Sequence, residues 1–300
     1  MGSPAFQWMM TEQKISVIVP AFNEEKSLSD VLSKLKGLET IDEIIVVDDG
    51  SRDNTAQVAQ DLGARIISHP YNMGNGAAVK TGVRNATGDV LLFLDGDGQH
   101  SPEDIPKLLA HIDRFDMVVG ARTKESKVSL FRSFGNFWLT KVANYLSGTK
   151  IPDLTSGFRA IKRERMLEFL HLLPNKYSYP TTITLALLQS GYWVKYVPLS
   201  NIQKRHAGNS GVKPFKDGLR FILIIMRIVM LFSPQKIFSP ASFLMVFGGI
   251  LLIGYNIVKT GGIQESTIIL MIVGVFTFFF GLLADQMAHI RREIQRRVNR

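Results

Sequence analysis

Leu91-Leu92-Phe93-Leu94-Asp95-Gly96-Asp97-Gly98-Gln99-His100 is the stretch whose reading decides the fold. Four apolar residues read as a buried strand and run directly into two carboxylates one glycine apart, with a carboxamide two positions on. Strand alternation places Asp95 and Asp97 on one side, and Gly96 and Gly98 let the backbone turn closely around whatever the oxygens hold. Hard oxygen ligands of this kind suit Mg²⁺ or Mn²⁺ shared with a diphosphate. A calcium loop opening at Asp95 needs glycine at its sixth position and glutamate at its twelfth. His100 and Pro106 stand there instead, which excludes that loop.

Upstream and downstream, β-branched runs alternate with helical patterns. Strands are predicted over 15–20, 44–47, 64–68, 90–94 and 117–119, with helices over 27–38, 54–62 and 75–86 and from Pro102. Asn54 is placed to cap the second helix with its side chain. Two more helices (163–172, 181–190) and a strand (193–197) follow. Such alternation implies parallel strands joined by right-handed crossovers, helices on both faces, and a ligand beyond the strands' carboxyl ends. Polar residues gather at those ends: Asn23 and Glu24 after the first strand, Asp48 and Asp49 after the second, Asp95 and Asp97 after the fourth, Arg122 after the fifth. By itself Asp48-Asp49-Gly50-Ser51 reads as a turn; four strand ends feeding one rim read as a site. Gly74-Asn75-Gly76 is no dinucleotide fingerprint, because that motif belongs on the first strand-to-helix turn, where Ala21-Phe22-Asn23-Glu24 has no glycine.

Composition divides the chain. Residues 1–212 hold 24 Lys+Arg against 22 Asp+Glu, whereas 213–300 hold 11 against 4. The net charge of +9 therefore sits mostly beside the C-terminal apolar runs, which points to a membrane surface and away from nucleic acid. Cysteine is absent, which excludes disulfides and thiolate metal sites. Residues 1–13 read as a disordered leader. The run over 221–232 is interrupted by Arg227 and is too short to span, so 213–236 reads as an interfacial amphipathic helix. Residues 237–258 and 266–284 carry no charge, and each reaches the ~20 residues a spanning helix needs. Lys236 on one side and Arg291, Arg292, Arg296, Arg297 and Arg300 on the other place both outer ends of this hairpin in the cytoplasm. The division is a catalytic domain over 14–212, the interfacial helix, a two-helix transmembrane hairpin over 237–284 and a basic cytoplasmic tail over 285–300.

With Val19-Pro20-Ala21-Phe22-Asn23-Glu24, Val47-Asp48-Asp49-Gly50-Ser51, Asn72-Met73-Gly74 and the Asp95–His100 stretch in order, the chain resembles the inverting family-2 glycosyltransferases. These have the GT-A nucleotide-diphospho-sugar fold, an α/β, Rossmann-like, mostly parallel sheet. Gln99 and Asp153-Leu154-Thr155-Ser156-Gly157-Phe158 make it most similar to the dolichyl-phosphate mannose synthase and bacterial polyprenyl-phosphate glucosyltransferase branch. The resemblance implies that Pro20, Ala21, Asn23, Glu24, Gly74 and Asp95 line the nucleotide pocket, that Asp48 or Asp49 reads the base, and that Asp95, Asp97 and Gln99 hold Mg²⁺ or Mn²⁺. Gly96 stands where many members of the family carry alanine, and Asn75 where lysine is common. Arg132 and Asn136, four apart, share a helix face. On spacing alone they are solvated; with the resemblance, they join Arg122 in gripping an acceptor phosphate, for which guanidinium forks are suited, and Arg205 serves the leaving diphosphate or the acceptor phosphate. His206 reads as a solvated loop residue.

The expected reaction is inverting transfer of a single hexose, glucose or mannose, from UDP-glucose or GDP-mannose to a polyprenyl or dolichyl phosphate. Asp97, Arg122, Arg132 and Arg205 are its catalytic residues, and the setting is the cytoplasmic leaflet of the cell inner membrane. A phosphomonoester is already ionised near neutral pH, so no general base is needed. A processive polysaccharide synthase is the first rival; its Gln-x-x-Arg-Trp signature and longer membrane part are missing. A non-catalytic membrane scaffold is the second, and the intact acidic and arginine set argues against it. A homo-oligomer is compatible with either reading.

Overall fold

The computed structural model describes residues 13–122, 141, 144–145, 148–176, 178–199, 223 and 226–298. These fall into two compact units: residues 13–122 with 150–199, and residues 141–149 with 223–298.

The first unit is a seven-stranded sheet in the order β3-β2-β1-β4-β6-β5-β7. Its strands are β1 (Ile15–Ala21), β2 (Glu43–Asp48), β3 (Arg65–Ser68), β4 (Val90–Phe93), β5 (Met117–Arg122), β6 (Arg159–Lys162) and β7 (Val194–Leu199). β1, β2, β3 and β4 pair in parallel, as do β5 and β7. β6, absent from the sequence reading, runs antiparallel between β4 and β5. The sheet is thus mostly parallel, as expected, with β6 as its antiparallel member. A four-residue strand that opens with arginine carries too little apolar pattern to stand out.

Alternation sorts the strand residues onto two faces. Val17, Val19, Leu92, Leu94, Val118, Phe158 and Ala160 form one core with Leu28, Val31, Leu32 and Leu35 of α1 (Glu25–Lys36) and Ile105 and Leu108 of α4 (Ile105–Leu109). Burying each such side chain contributes about 1.5–3 kcal/mol. α2 (Thr55–Asp61) begins after Asn54, which occupies the N-cap position without a side-chain cap hydrogen bond, contrary to expectation. The opposite face carries Ile18, against which Gly82 of α3 (Asn75–Asn85) packs without room for a Cβ. α5 (Arg163–Phe169) and α6 (Tyr179–Gln189) complete the unit.

In the second unit, α7 (Gln235–Thr260) and α8 (Glu265–Val298) are long and apolar enough to cross a membrane. At 1.5 Å per residue they are about 39 and 51 Å long. They pack through small residues: Gly249 meets Met271, Gly274 meets Met245 and Val246, and Gly281 meets Gln235 and Phe238. Ser242 Oγ donates to the Gly274 carbonyl at 2.8 Å, and Asn256 Nδ2 to Thr267 Oγ1 at 3.2 Å. α8 continues through the basic segment after residue 284 to Val298 on helix-favouring residues without glycine or proline. Of the expected interfacial helix, 226–232 is described and helical, burying Ile228, Val229 and Phe232 and exposing Met226 and Arg227.

At the start of α3, a Cβ on Gly76 would fall 2.0 Å from the Pro174 carbonyl, and its N–H donates to the Lys176 carbonyl at 3.0 Å. Gly76→Ala is expected to destabilise the first unit by about 1–3 kcal/mol through overpacking, read as a lower melting temperature against Gly37→Ala, whose Cβ meets ordinary contact.

Candidate active site

The carboxyl ends of β1, β2 and β4 lie side by side, in register Ala21↔Asp48 and Ile18↔Phe93. Pro20 and Ala21 end β1, and Asn23 turns the chain with φ +55°. Its N–H donates to Ser51 Oγ at 2.9 Å, and its Oδ1 accepts from the Arg52 N–H at 2.9 Å. The Glu24 N–H donates to Thr55 Oγ1 at 2.9 Å, while Glu24 Oε2 accepts from Ser27 Oγ at 2.9 Å. Asp53 Oδ1 accepts from the Thr55 N–H at 3.1 Å, and Asp53 Oδ2 from the Glu25 N–H at 3.2 Å. The loops after β1 and β2 are thereby stitched into one wall.

The two acids assigned to base reading have local work. Asp48 Oδ1 accepts from the Ser51 N–H at 3.0 Å. Asp49 accepts from the Met73 N–H at 2.9 Å and the Gly74 N–H at 2.7 Å, and lies 2.7 Å from His69 Nδ1, whose Nε2 is 2.9 Å from Thr81 Oγ1. Asp49 therefore pins the loop after β3. Gly74 (φ +103°) serves that loop, and the Gly76 and Ala77 amides reach the Lys176 and Asn175 carbonyls. The Gly76 and Ala77 amides in the first turn of α3 are thus committed to protein acceptors.

β4 ends at Phe93, so Asp95 and Asp97 stand in the turn beyond it and strand alternation does not place them. Gly98 takes φ +71°, and the Gln99 N–H donates to Asp97 Oδ1 at 3.1 Å. Asp95, Asp97 and Gln99 are half-buried. Gly157, from the segment before β6, lies against Asp95: a Cβ there would be 2.5 Å from Asp95 Oδ2. At Gly96 a Cβ would make ordinary contacts at 3.5 Å, so alanine fits. Among the described residues no three His, Asp or Glu side chains gather as a metal cage. Two half-buried carboxylates and a carboxamide in one turn nevertheless suit Mg²⁺ or Mn²⁺, which bind through one or two carboxylates plus substrate phosphate.

Arg122 ends β5, and its Nε donates to Asp153 Oδ2 at 2.9 Å while Nη2 donates to Thr155 Oγ1 at 2.7 Å. Burial would raise the Asp153 carboxyl, but the Arg122 hydrogen bonds and charge outweigh it and hold the group below the ordinary range. Ser156 Oγ donates to the Gly120 carbonyl at 2.6 Å, tying this segment to β5. His100 is buried and stacks on Phe158 with ring centroids 5.2 Å apart. Burial, then the Arg122 charge, push it down to about 4, so it is neutral at physiological pH. Arg132, Asn136, Arg205 and His206 lie outside the described residues. Thr55, His69 and Tyr179 escaped the sequence reading because each works through a hydrogen bond to a residue distant in the chain.

Gly157→Ala is expected to displace Asp95 and reduce turnover by at least tenfold, while Gly96→Ala stays near wild type; steady-state rates compare them. Asp153 is more acidic folded than unfolded, so the Arg122 pair stabilises the fold above the ordinary aspartate range and that stabilisation is lost as pH falls through the lowered folded value. Asp153→Asn is therefore expected to lower the melting temperature at pH 7 and to converge with wild type in acid.

Glycosyl transferase family 2 matches residues 16–168, and the GtrB C-terminal hairpin matches residues 233–290. The chain is 25% identical over 302 residues to glycosyltransferase AglJ of Haloferax volcanii, covering 97% of this chain and 99% of that one. It is 33% identical over 183 residues to the UDP-N-acetylglucosamine–dolichyl-phosphate N-acetylglucosaminyltransferase of Methanococcus voltae, covering 52% of this chain and 72% of that one. Glucosyl-3-phosphoglycerate synthase from Mycobacterium tuberculosis, solved with phosphoglyceric acid, matches in fold with a TM-score of 0.59 at 22% identity, over 72% of this chain and 80% of that one. A GT-A-like sheet with acids at the ends of β2 and β4, together with a family match spanning half the sequence, shows that this chain belongs to glycosyl transferase family 2.

Proposed function

We propose that the protein transfers a single hexose, glucose or mannose, with inversion from a nucleotide-diphosphate sugar to a polyprenyl or dolichyl phosphate. The observation that carries the reading is the union, in one chain, of a family-2 glycosyltransferase unit with the apolar hairpin of α7 and α8. A relative that acts on dolichyl phosphate supports it. Such an acceptor presents its phosphate at a membrane surface, and a hairpin with basic outer flanks holds an enzyme at the cytoplasmic leaflet.

Pro20, Ala21, Asn23 and Glu24 form the wall against which the nucleoside rests, with Asp48 the acid nearest to base reading. Asp95, Asp97 and Gln99 hold the divalent cation, which when bound neutralises charge building on the leaving diphosphate. Arg122 is aimed by Asp153 and Thr155, and with Arg132, Asn136 and Arg205 it orients the acceptor phosphate. The acceptor oxygen is already an anion, so these residues position two repelling groups and no side chain removes a proton.

Membranes containing the protein are incubated with labelled UDP-glucose, GDP-mannose or UDP-N-acetylglucosamine and a polyprenyl phosphate. Label is expected to enter the organic phase with one of the two hexose donors; no transfer from any donor overturns the reading. Asp97→Ala is expected to lower turnover by about 10³-fold or more, and Arg132→Ala chiefly to raise the acceptor KM with donor binding retained. Equal loss of donor binding in both contradicts the assigned roles.

A further inference from the structure

β6 carries a cation that no carboxylate touches among the described residues. Arg159 is fully buried. Its Nη1 donates to the Pro180 carbonyl at 3.0 Å and to Thr184 Oγ1 at 3.1 Å, and its Nη2 donates to the Ser156 carbonyl. Nε has no hydrogen-bond partner among the described residues, and the guanidinium carbon lies 5.9 Å from the centre of the Tyr179 ring. In the sheet Arg159 pairs with Phe93 on β4 and Val119 on β5, and Val119 pairs with Tyr196 on β7. Tyr196 Oη is likewise buried without a partner. A buried cation without a countercharge is costly, so its retention rests on the acceptors it holds, the Pro180 and Ser156 carbonyls and Thr184 Oγ1.

Its contacts lead to the site. Ser156, whose carbonyl Arg159 holds, is fixed at its N–H by Asp153 Oδ1 (3.1 Å) and at its hydroxyl by the Gly120 carbonyl. The next carbonyl, of Gly157, accepts from Tyr179 Oη at 3.3 Å. Gly157 is the residue pressed against Asp95. Arg159 and Tyr179 thus hold from below the backbone on which Asp95 rests, and the charges attracting the guanidinium include Asp153 and Asp95.

We propose that Arg159 is a positioning residue for sugar transfer, acting through the Ser156–Gly157 backbone and its fixed charge to hold Asp95 in place for the cation and donor diphosphate. The proposal rests on the reading of Asp95, Asp97 and Gln99 as the cation site. A merely structural arginine affects melting; a positioning arginine affects cation affinity while leaving the acceptor KM alone.

Full-length wild type, Arg159→Met, Arg159→Lys and Tyr179→Phe are compared by melting temperature, by Mn²⁺ binding with UDP or GDP (electron paramagnetic resonance of free Mn²⁺), and by donor and acceptor KM. Arg159→Met is expected to melt below wild type, through the acceptors it leaves unsatisfied, and, where folded, to bind Mn²⁺ about 10–100-fold more weakly. Arg159→Lys regains part of that loss, and Tyr179→Phe weakens binding in the same direction by less. Wild-type Mn²⁺ affinity in a folded Arg159→Met overturns the proposal. If Arg159→Met does not fold, wild-type affinity in Tyr179→Phe overturns it and weakened affinity supports it. A wild-type protein that binds no Mn²⁺ with either nucleotide overturns the cation-site reading, and the proposal with it.

Discussion

A diphosphate donor and a phosphate acceptor repel carboxylates, yet Asp48, Asp49, Asp95, Asp97 and Asp153 all lie at or beside one edge of this sheet. The organisation of the site follows from how each acid is handled. Asp48 and Asp49 are turned onto backbone amides and His69. Asp153 is committed to Arg122. Asp95 and Asp97, in the turn beyond β4, are the pair assigned to a divalent ion. Asp48, Asp49 and Asp153 thus fasten loops and a guanidinium, and Asp95 and Asp97 are assigned to the cation that the donor diphosphate shares.

The antiparallel strand β6 makes this arrangement possible. A further parallel strand would carry the preceding loop to the far edge of the sheet. By reversing direction between β4 and β5, β6 delivers Asp153–Phe158 to the same edge as Asp95 and Arg122. Ser156 then ties to Gly120, Gly157 abuts Asp95, and Asp153 aims Arg122. A single short strand therefore links the donor end of the site with the arginine assigned to the acceptor.

Much of this was legible in the sequence. β-branched runs ended by Pro20, Asp48 and Asp95 located three strand ends, and the uncharged runs after residue 236 located both long helices, because burial in a sheet or a bilayer leaves unbroken apolar patterns. Asp153 as the partner of an arginine was legible from its motif. Three things were not. Arg159 looks like a surface residue, since nothing local says that its charge is buried. Asp49 and Asp48 are indistinguishable until His69 and the Met73 and Gly74 amides come into range from 20, 24 and 25 residues away. The helical course of 285–298 was hidden by its arginines, which suggest a tail although helix propensity alone favours continuation.

The central claim is that one sugar passes directly to a lipid phosphate oxygen. Isolating the lipid product and measuring its mass and anomeric coupling by mass spectrometry and NMR tests this most directly. The account predicts one hexose per lipid phosphate, β-linked when the donor is α-linked. A retained anomer, or a chain of sugars on the lipid, would contradict it.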